Sequence, residues 1–357
     1  MSTANFDLII IGGGAAGFAA ALKADELEAK TALINTGLPL GGTCVNVGCI
    51  PTKFLLEVCE TSHLLQNPRF KAVNPIAMKL DFQKVMQEKD ELVAVLRNRN
   101  YQDLLPQLKN VKYWEGEVKF ISAKQVAVNG EVFTADKFLI ATGSSAKILP
   151  IPGLPETGFI THREALGLKQ LPGSLLIIGG GPIGLEFCQI FSRLGSQVFL
   201  VELQSRILPQ AEPIVSEELK KQLATEFTIY TNTKTLSVKR KENKKVVELE
   251  IEGTAKEITV DEILIGAGVV GNTQNIGIEP AGIEVDKTGF IQVDDEFRTR
   301  QKNIFAAGDV TGPPWLETVA AKEGNLAVQN ALQNRHFKVD YSVIPYAVFT
   351  SPQVASV

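Results

Sequence analysis

FDLIIIGGGAAGFAAALK (6–23) and LLIIGGGPIGLEFCQIF (175–191) are the stretches whose reading decides the fold. Each opens on an apolar run that reads as a buried strand. A glycine cluster follows, then an apolar segment of helical character. The first copy predicts a strand over 6–11, a helix over 18–23 and a strand over 31–34. The second predicts a strand over 175–178, a helix over 185–194 and a strand over 198–201. Gly12, Gly14 and Gly17 map onto Gly179, Gly181 and Gly184 with a single offset of 167 residues, and Asn35 maps onto Glu202 by the same offset. One G-x-G-x-x-G is a weak signal. Here two copies stand in register, each between a strand and a helix and each with a residue suited to a ribose 18 positions after its last glycine. That is a dinucleotide-binding pattern. Its first glycine permits the tight turn, its second lets backbone approach a pyrophosphate, and its third lets helix pack on strand. The helix start then offers N–H groups and a positive dipole end to phosphate. Two such units predict an α/β chain with two Rossmann-like three-layer domains and imply electron traffic between two dinucleotides.

The length of 357 residues suits two domains, at roughly 150 residues each. Apolar residues at 45% and charged residues at 21% exclude a disordered chain. A net charge of −4 speaks against a nucleic-acid partner, which calls for a basic footprint. Four cysteines do not make a secreted disulfide framework. The apolar, glycine-containing uncharged run Leu8 to Leu22 is 15 residues, short of the roughly 20 that span a bilayer, and no Lys or Arg precedes it. The expectation is a soluble cytoplasmic protein with no membrane partner.

Between the two units, apolar residues at helical spacing predict a helix from Asp81, its cap, to about Leu105. Asn129-Gly130 between QVAV and EVF predicts a two-residue hairpin. A short strand over 138–141 ends at Thr142-Gly143, and the proline-rich stretch 147–158 reads as a domain crossover. Three β-rich stretches are expected near 228–240, 245–251 and 257–265. The charge run KRKENKK (239–245) reads as a solvated hairpin tip. AVFTSPQVASV (347–357) is strand-like to its last residue, as though cut within a strand.

GGTCVNVGCIPTK (41–53) places Cys44 and Cys49 five residues apart. In an ideal helix that spacing separates the Cα atoms by ~8.6 Å, whereas a disulfide wants roughly 4.4–6.8 Å. If the two pair, the helix must be distorted between them. Gly48 and Pro51 supply the means, and such a disulfide would be a labile one. A metal site and unpaired thiols are the other readings. No metal is expected, because His63, His162 and His336 all stand away from the pair. Cys59 and Cys188 lie on apolar helical faces and read as core thiols. At the nucleotide units, Glu202 can accept from both hydroxyls of an adenosine ribose and would repel a 2′-phosphate, which favours NAD over NADP, with Arg206 the nearest following cation. Asn35 is neutral and bonds a ribose more weakly.

With these motifs quoted, the chain resembles the class I pyridine nucleotide–disulfide oxidoreductases over essentially its whole length. FLIATG (138–143), GAGVVGN (266–272), NIFAAGDVTG (303–312) and FTSPQVASV (349–357) carry the resemblance together with the cysteine motif. GPPWLETVAAKEG (312–324) and VELQSRILP (201–209) are most like the dihydrolipoamide dehydrogenases of that family, and the chain is also similar to its mercuric reductase branch. The resemblance implies FAD at the first glycine unit and NAD at the second. It implies electron transfer from NADH to a substrate disulfide through a Cys44–Cys49 pair. Cys49 would face the flavin, Cys44 would exchange with substrate, and Lys53 would sit at the flavin paired with Glu186. Gly42, Thr43, Gly116, Thr142, Gly143 and Asp309 would complete the FAD site. Glu317 and Thr318 would open a helix aimed at the flavin, and Gly268 would touch NAD. The FAD domain is then expected over 1–150 and 280–345, the NAD domain over 151–279, and the start of the family's dimerisation domain over 346–357. A homodimer is expected for a longer protein that carries that domain with its His–Glu base, and a monomeric flavin-binding fragment active on dyes for this chain alone. Three positions depart from the family. Asn35 stands where glutamate is usual, Val269 where arginine is frequent, and Glu317 where residues are small or apolar.

Overall fold

The computed structural model describes residues 4–357. Its elements begin with β1 (Ala4–Ile11), α1 (Ala15–Glu26), β2 (Thr31–Asn35), α2 (Gly42–Val47), α3 (Cys49–Gln66) and α4 (Phe82–Arg97). Strands β3 (Val111–Glu115), β4 (Val118–Ser122), β5 (Gln125–Val128), β6 (Glu131–Ile140) and β7 (Ser144–Ala146) follow. Then come α5 (Leu154–Thr157), α6 (His162–Ala165), β8 (Ser174–Ile178), α7 (Pro182–Leu194), β9 (Gln197–Val201) and α8 (Pro213–Leu223). Next are β10 (Thr228–Tyr230), β11 (Thr233–Lys241), β12 (Lys244–Ile251), β13 (Thr254–Val260) and β14 (Glu262–Ile265). Last are β15 (Val269–Gly271), β16 (Ile304–Ala306), α9 (Glu317–Gln333), β17 (Tyr346–Val348) and β18 (Val354–Ser356).

Two compact units divide the chain. The first takes the chain up to Asn46, Val93–Ser145 and Val269–Ile344. Its sheet runs β3-β2-β1-β6-β5-β4, with β16 also paired to β6. Strands β3, β2, β1, β6 and β16 are mutually parallel, and β4 to β6 form an antiparallel meander. Alternation along β1 loads both faces, as a buried central strand requires. Leu8 and Ile10 join one core with Ala20, Ala21 and Ala24 of α1 and Ala327 and Val328 of α9. Ile9 and Ile11 join another with Phe120, Val126 and Phe138. Asn129 and Gly130 both take positive φ, the backbone of the tight hairpin that the sequence predicts there.

The second unit takes Val47–Leu92, Ala146–Gly268 and Pro345–Val357. A parallel sheet, β10-β9-β8-β14, lies between two layers. Leu175 and Ile177 of β8 face helices α3, α4, α7 and α8, while Leu176 and Ile178 face the antiparallel sheet β11-β12-β13. The β-rich stretches expected near 228–240 and 257–265 each split in two. Tyr230 and Ile265 end strands of the parallel sheet, and Thr233 and Val260 belong to the antiparallel one. The helix predicted to reach Leu105 keeps its cap, since Asp81 Oδ1 accepts from the amides of Gln83 and Lys84 at 3.1 and 3.2 Å. It leaves α geometry after Arg97 and widens into a turn over Asn98–Gln102, in a stretch whose asparagines compete for backbone groups.

Packing divides the chain differently from the predicted dinucleotide domains. Residues 47–92 belong with the second unit, because Leu55, Leu56 and Cys59 of α3 share a core with Leu185, Cys188 and Ile190 of α7. Residues 345–357 belong there too, with Val348 fully buried in that core. Cys59 and Cys188 are the core thiols expected: burial pushes the first up to about 12 and the second well above the ordinary thiol range. Arg193 of α7 donates to both oxygens of Glu226, at 2.7 and 2.9 Å, and also to Glu60 of α3.

His162 supplies a pH test of this unit. Burial, then the neighbouring Arg163, hold its imidazole down to about 4 against an ordinary 6.5. As pH falls the unfolded chain takes this proton first, so stability present above pH 6.5 is lost as pH falls toward 4, by up to about 3 kcal/mol. Denaturant titrations at pH 7 and pH 4.5 are expected to show a smaller stability gap for His162→Gln than for the parent. An unchanged gap refutes the assignment.

Candidate functional site

In the first unit, Gly12 ends β1 with φ +113°, and a Cβ there would lie 2.2 Å from the Ala141 carbonyl oxygen. A Cβ on Gly17 would lie 1.8 Å from the Gly12 oxygen. Both positions therefore exclude any side chain. Gly14 differs: its nearest neighbour is the Gly42 Cα at 3.7 Å, and it precedes α1 without any side-chain cap. Uncapped amides beside open space fit a diphosphate. Asn35 closes the turn, its Oδ1 accepting from Gly13 N at 2.9 Å and its Nδ2 donating to the Leu38 carbonyl at 2.8 Å. Gly41 N donates to Gly13 O at 2.8 Å, which lays Gly42 and exposed Thr43 beside the turn. Gly116 N donates to Asn35 O at 3.0 Å.

The same unit brings in Thr142 and Gly143. Asn272 clamps them: Thr142 Oγ1 donates to its carbonyl, its Nδ2 donates to Thr142 O, and its amide donates to Gly143 O, at 2.8 to 3.0 Å. Ser144 Oγ donates to Asp309 Oδ2 at 2.9 Å, and burial raises the Asp309 carboxyl above its ordinary range. Glu323, buried on α9, accepts from Gly308 N at 2.7 Å and from the Tyr341 hydroxyl at 2.8 Å, which fixes the turn that presents Asp309. Asn272, Ser144 and Glu323 are missed by sequence reasoning, since no motif names their partners. Glu317 and Thr318 open α9. The carboxylate of Glu317 stands at the positive end of that helix, a placement worth about 0.3–1 kcal/mol.

The second unit repeats the glycine turn. Gly179 has φ +116°, and its Cβ would meet the Gly266 oxygen at 2.5 Å, while that of Gly184 would meet the Gly179 oxygen at 1.9 Å. Gly181 has nothing within 4 Å and leads α7 without a side-chain cap. Glu202, buried at the end of β9, accepts from Gly180 N at 2.6 Å and from Gln204 N at 2.7 Å. Each carboxylate oxygen keeps a lone pair for a ribose hydroxyl. Gly268 has φ +98°, open space around it, and a carbonyl that accepts from Lys147 N at 2.9 Å.

The cysteine motif is where the helix breaks. Helix α2 ends at Val47, Gly48 is non-helical with φ −135° and ψ −115°, and α3 starts at Cys49. The interruption falls at the residue the spacing argument names. Cys44 is half-buried in α2, and Cys49 is exposed at the head of α3. One turn on, Lys53 Nζ donates to both Glu186 oxygens at 2.9 and 2.8 Å. The pair is 133 residues apart in sequence, and the Glu186 side chain is 6% exposed.

A family described as pyridine nucleotide-disulphide oxidoreductase matches residues 6–332. A mercuric reductase of Bacillus cereus is 39% identical over 99% of this chain and 56% of its own length. One of Lysinibacillus sphaericus is 38% identical over 99% of this chain and 64% of its own length. A dihydrolipoyl dehydrogenase of Thermus scotoductus is 37% identical over 99% of this chain and 76% of its own length. Among solved structures, the HOCl-induced flavoprotein disulfide reductase RclA from Escherichia coli, as its Cu(II) complex, superposes with a TM-score of 0.86 at 29% identity, over 99% of this chain and 77% of that one. The chain thus spans 56–64% of the length of these two mercuric reductases.

The glycines separate fold from binding. Gly184→Ala is expected to destabilise the protein by about 1–3 kcal/mol or more, because the Gly179 carbonyl must move. Gly181→Ala, with open space around it, is expected to leave the unfolding free energy within about 0.5 kcal/mol and still weaken nicotinamide dinucleotide binding at least tenfold, read by fluorescence titration. Undiminished binding by Gly181→Ala counts against a diphosphate at this turn.

Proposed function

This chain belongs to the pyridine nucleotide-disulphide oxidoreductase family, and on that premise we propose that it passes electrons between NAD(H) and a disulfide or dithiol substrate through Cys44 and Cys49. The cofactors of the family are FAD and NAD(P)H. The reading favoured here is the dihydrolipoyl dehydrogenase type. Glu202 and the GPPWLE stretch (312–317) favour that type, and the observation that carries the thiol route itself is the broken helix, which sets an exposed thiol one turn from the Lys53–Glu186 pair.

FAD would be held by Gly12, Gly14, Gly17, Asn35, Gly42, Thr43, Gly116, Thr142, Gly143, Asp309, Glu317 and Thr318. NAD would be held by Gly179, Gly181, Gly184, Glu202 and Gly268. When bound, the flavin supplies a two-electron relay between the nicotinamide and the thiol pair. The chain's own residues do the rest. The Cys44 thiolate attacks a substrate disulfide, forming a mixed disulfide and releasing one thiolate. The Cys49 thiolate then attacks the Cys44 sulfur, which releases the second and closes the Cys44–Cys49 bond. Both released thiolates take up protons. Lys53, fixed by Glu186, keeps a positive charge one helical turn from Cys49 and favours its thiolate. Glu202 selects NAD, since its carboxylate accepts from a 2′-hydroxyl and repels a 2′-phosphate.

A second reading rests on the mercuric reductases among the relatives: the same thiols would present a soft metal ion as substrate, which thiolate ligands favour. No helix among the described residues is long and apolar enough to cross a membrane, and a cytoplasmic location is part of the proposal. So is a homodimer for a protein that carries the family's dimerisation domain.

Stopped-flow bleaching of the flavin is expected to run about tenfold or more faster with NADH than with NADPH, and Glu202→Ala to narrow that ratio. In a protein that carries the family's dimerisation domain, Cys44→Ser and Cys49→Ser are each expected to abolish disulfide reduction while NADH-to-dye turnover persists. Equal rates with both nucleotides refute the role of Glu202. Disulfide reduction surviving either serine variant refutes the thiol route.

A further inference from the structure

One face of α7 grips a segment that the glycine motifs do not mention. Glu186 Oε1 accepts from Phe349 N at 3.0 Å in addition to its bonds from Lys53. One turn on, Gln189 Oε1 accepts from Ser351 N at 2.7 Å, and its Nε2 donates to Ser351 O at 3.0 Å. Both helix residues are buried. Residues 348–350 alternate in burial as a strand does: Val348 and Thr350 point inward, and Phe349, 41% exposed, points the other way. The Phe349 ring centroid then lies 4.6 Å from Lys53 Nζ. The ammonium has a carboxylate against it and an aromatic face within reach.

We infer that Phe349 is a positioning residue for Lys53: its amide sets the Glu186 carboxylate, and its ring holds the ammonium against that carboxylate. The inference rests on the proposed role of the Lys53–Glu186 pair. A lysine stem has four rotatable bonds, and one carboxylate leaves its head free to swing to solvent. A ring within about 6 Å adds a direction, and the contact strengthens where water is partly excluded. Cys49 and Glu57 lie one turn to either side of Lys53 on α3, and Tyr346 interacts with Glu186. Because the bond to Glu186 comes from the backbone, replacing the Phe349 side chain removes the ring and keeps that bond.

The test uses the full chain as the purified flavoprotein, with Phe349→Leu, Phe349→Tyr and Lys53→Met. Trace acetylation at one fixed pH, read by mass spectrometry, gives the reactivity of Lys53 relative to exposed Lys71. Phe349→Leu is expected to raise that ratio about three- to tenfold, and Phe349→Tyr to keep it within about twofold. NADH-to-dye turnover is expected to fall in the leucine variant and recover in the tyrosine one. An unchanged Lys53 ratio in Phe349→Leu overturns the inference, as does a rise shared by every lysine, which is general loosening. Full turnover by Lys53→Met overturns the reading of the Lys53–Glu186 pair, and the acetylation ratio then still decides whether the ring holds the ammonium.

Discussion

Two carbonyl oxygens stand where methyl groups would have to go. The oxygens of Gly12 and Gly179 lie 1.8 and 1.9 Å from the Cβ positions that Gly17 and Gly184 lack. Around each contact the first turn of a helix lies directly on the end of a strand. The first glycine of each motif presses in turn on the end of a neighbouring parallel strand, at Ala141 in one unit and Gly266 in the other. What remains is the one position with room, Gly14 or Gly181, at the head of an uncapped helix. Close packing on two sides thus creates the open third side. In the first unit the same logic extends to a second helix: Gly324 of α9 would place a Cβ 2.1 Å from Ala16 O, and α1 meets α9 through alanines.

Asn35 and Glu202 show how one geometric task is met by two chemistries. Each accepts from the amide of the middle glycine of its turn, Gly13 at 2.9 Å and Gly180 at 2.6 Å. The carboxylate spends its second oxygen on Gln204 N. The amide turns a donor toward the Leu38 carbonyl, which an ionised carboxylate could not do. A neutral residue at the first turn therefore keeps the backbone clamp and binds the following loop as well, at the loss of a charge.

Much of this was legible in the sequence. Period, glycine spacing and the offset of the two copies locate β1, α1, β8 and α7, and Gly48 marks the helix break. The clamps around them were not legible. Asn272 on Thr142 and Glu323 on Gly308 are side-chain-to-backbone bonds, and such bonds leave no periodic trace in a sequence. The core that residues 47–92 join was not legible either, for a related reason. Leu55, Leu56 and Cys59 are recognisable as a buried face, but amphipathicity does not say which partner covers it. The split of 228–240 between two sheets escaped because strand propensity is the same on either side of Asn232, where a positive φ turns the chain.

The Lys53–Glu186 pair is costly in isolation, because a carboxylate with 6% exposure has given up most of its water. It is tolerable here because every oxygen is supplied: Oε1 takes Lys53 and Phe349 N, and Oε2 takes Lys53. Lys53 is only partly buried, so its desolvation is smaller. The asymmetry assigns the roles. Glu186 is the fixed member, held by backbone on a long buried helix, and Lys53 is the member whose head reaches solvent and whatever binds there. A pair kept only for stability would be matched or bettered by well-packed apolar groups of similar volume. Holding one charge rigid so that the other is presented at a definite place is the arrangement expected of a site.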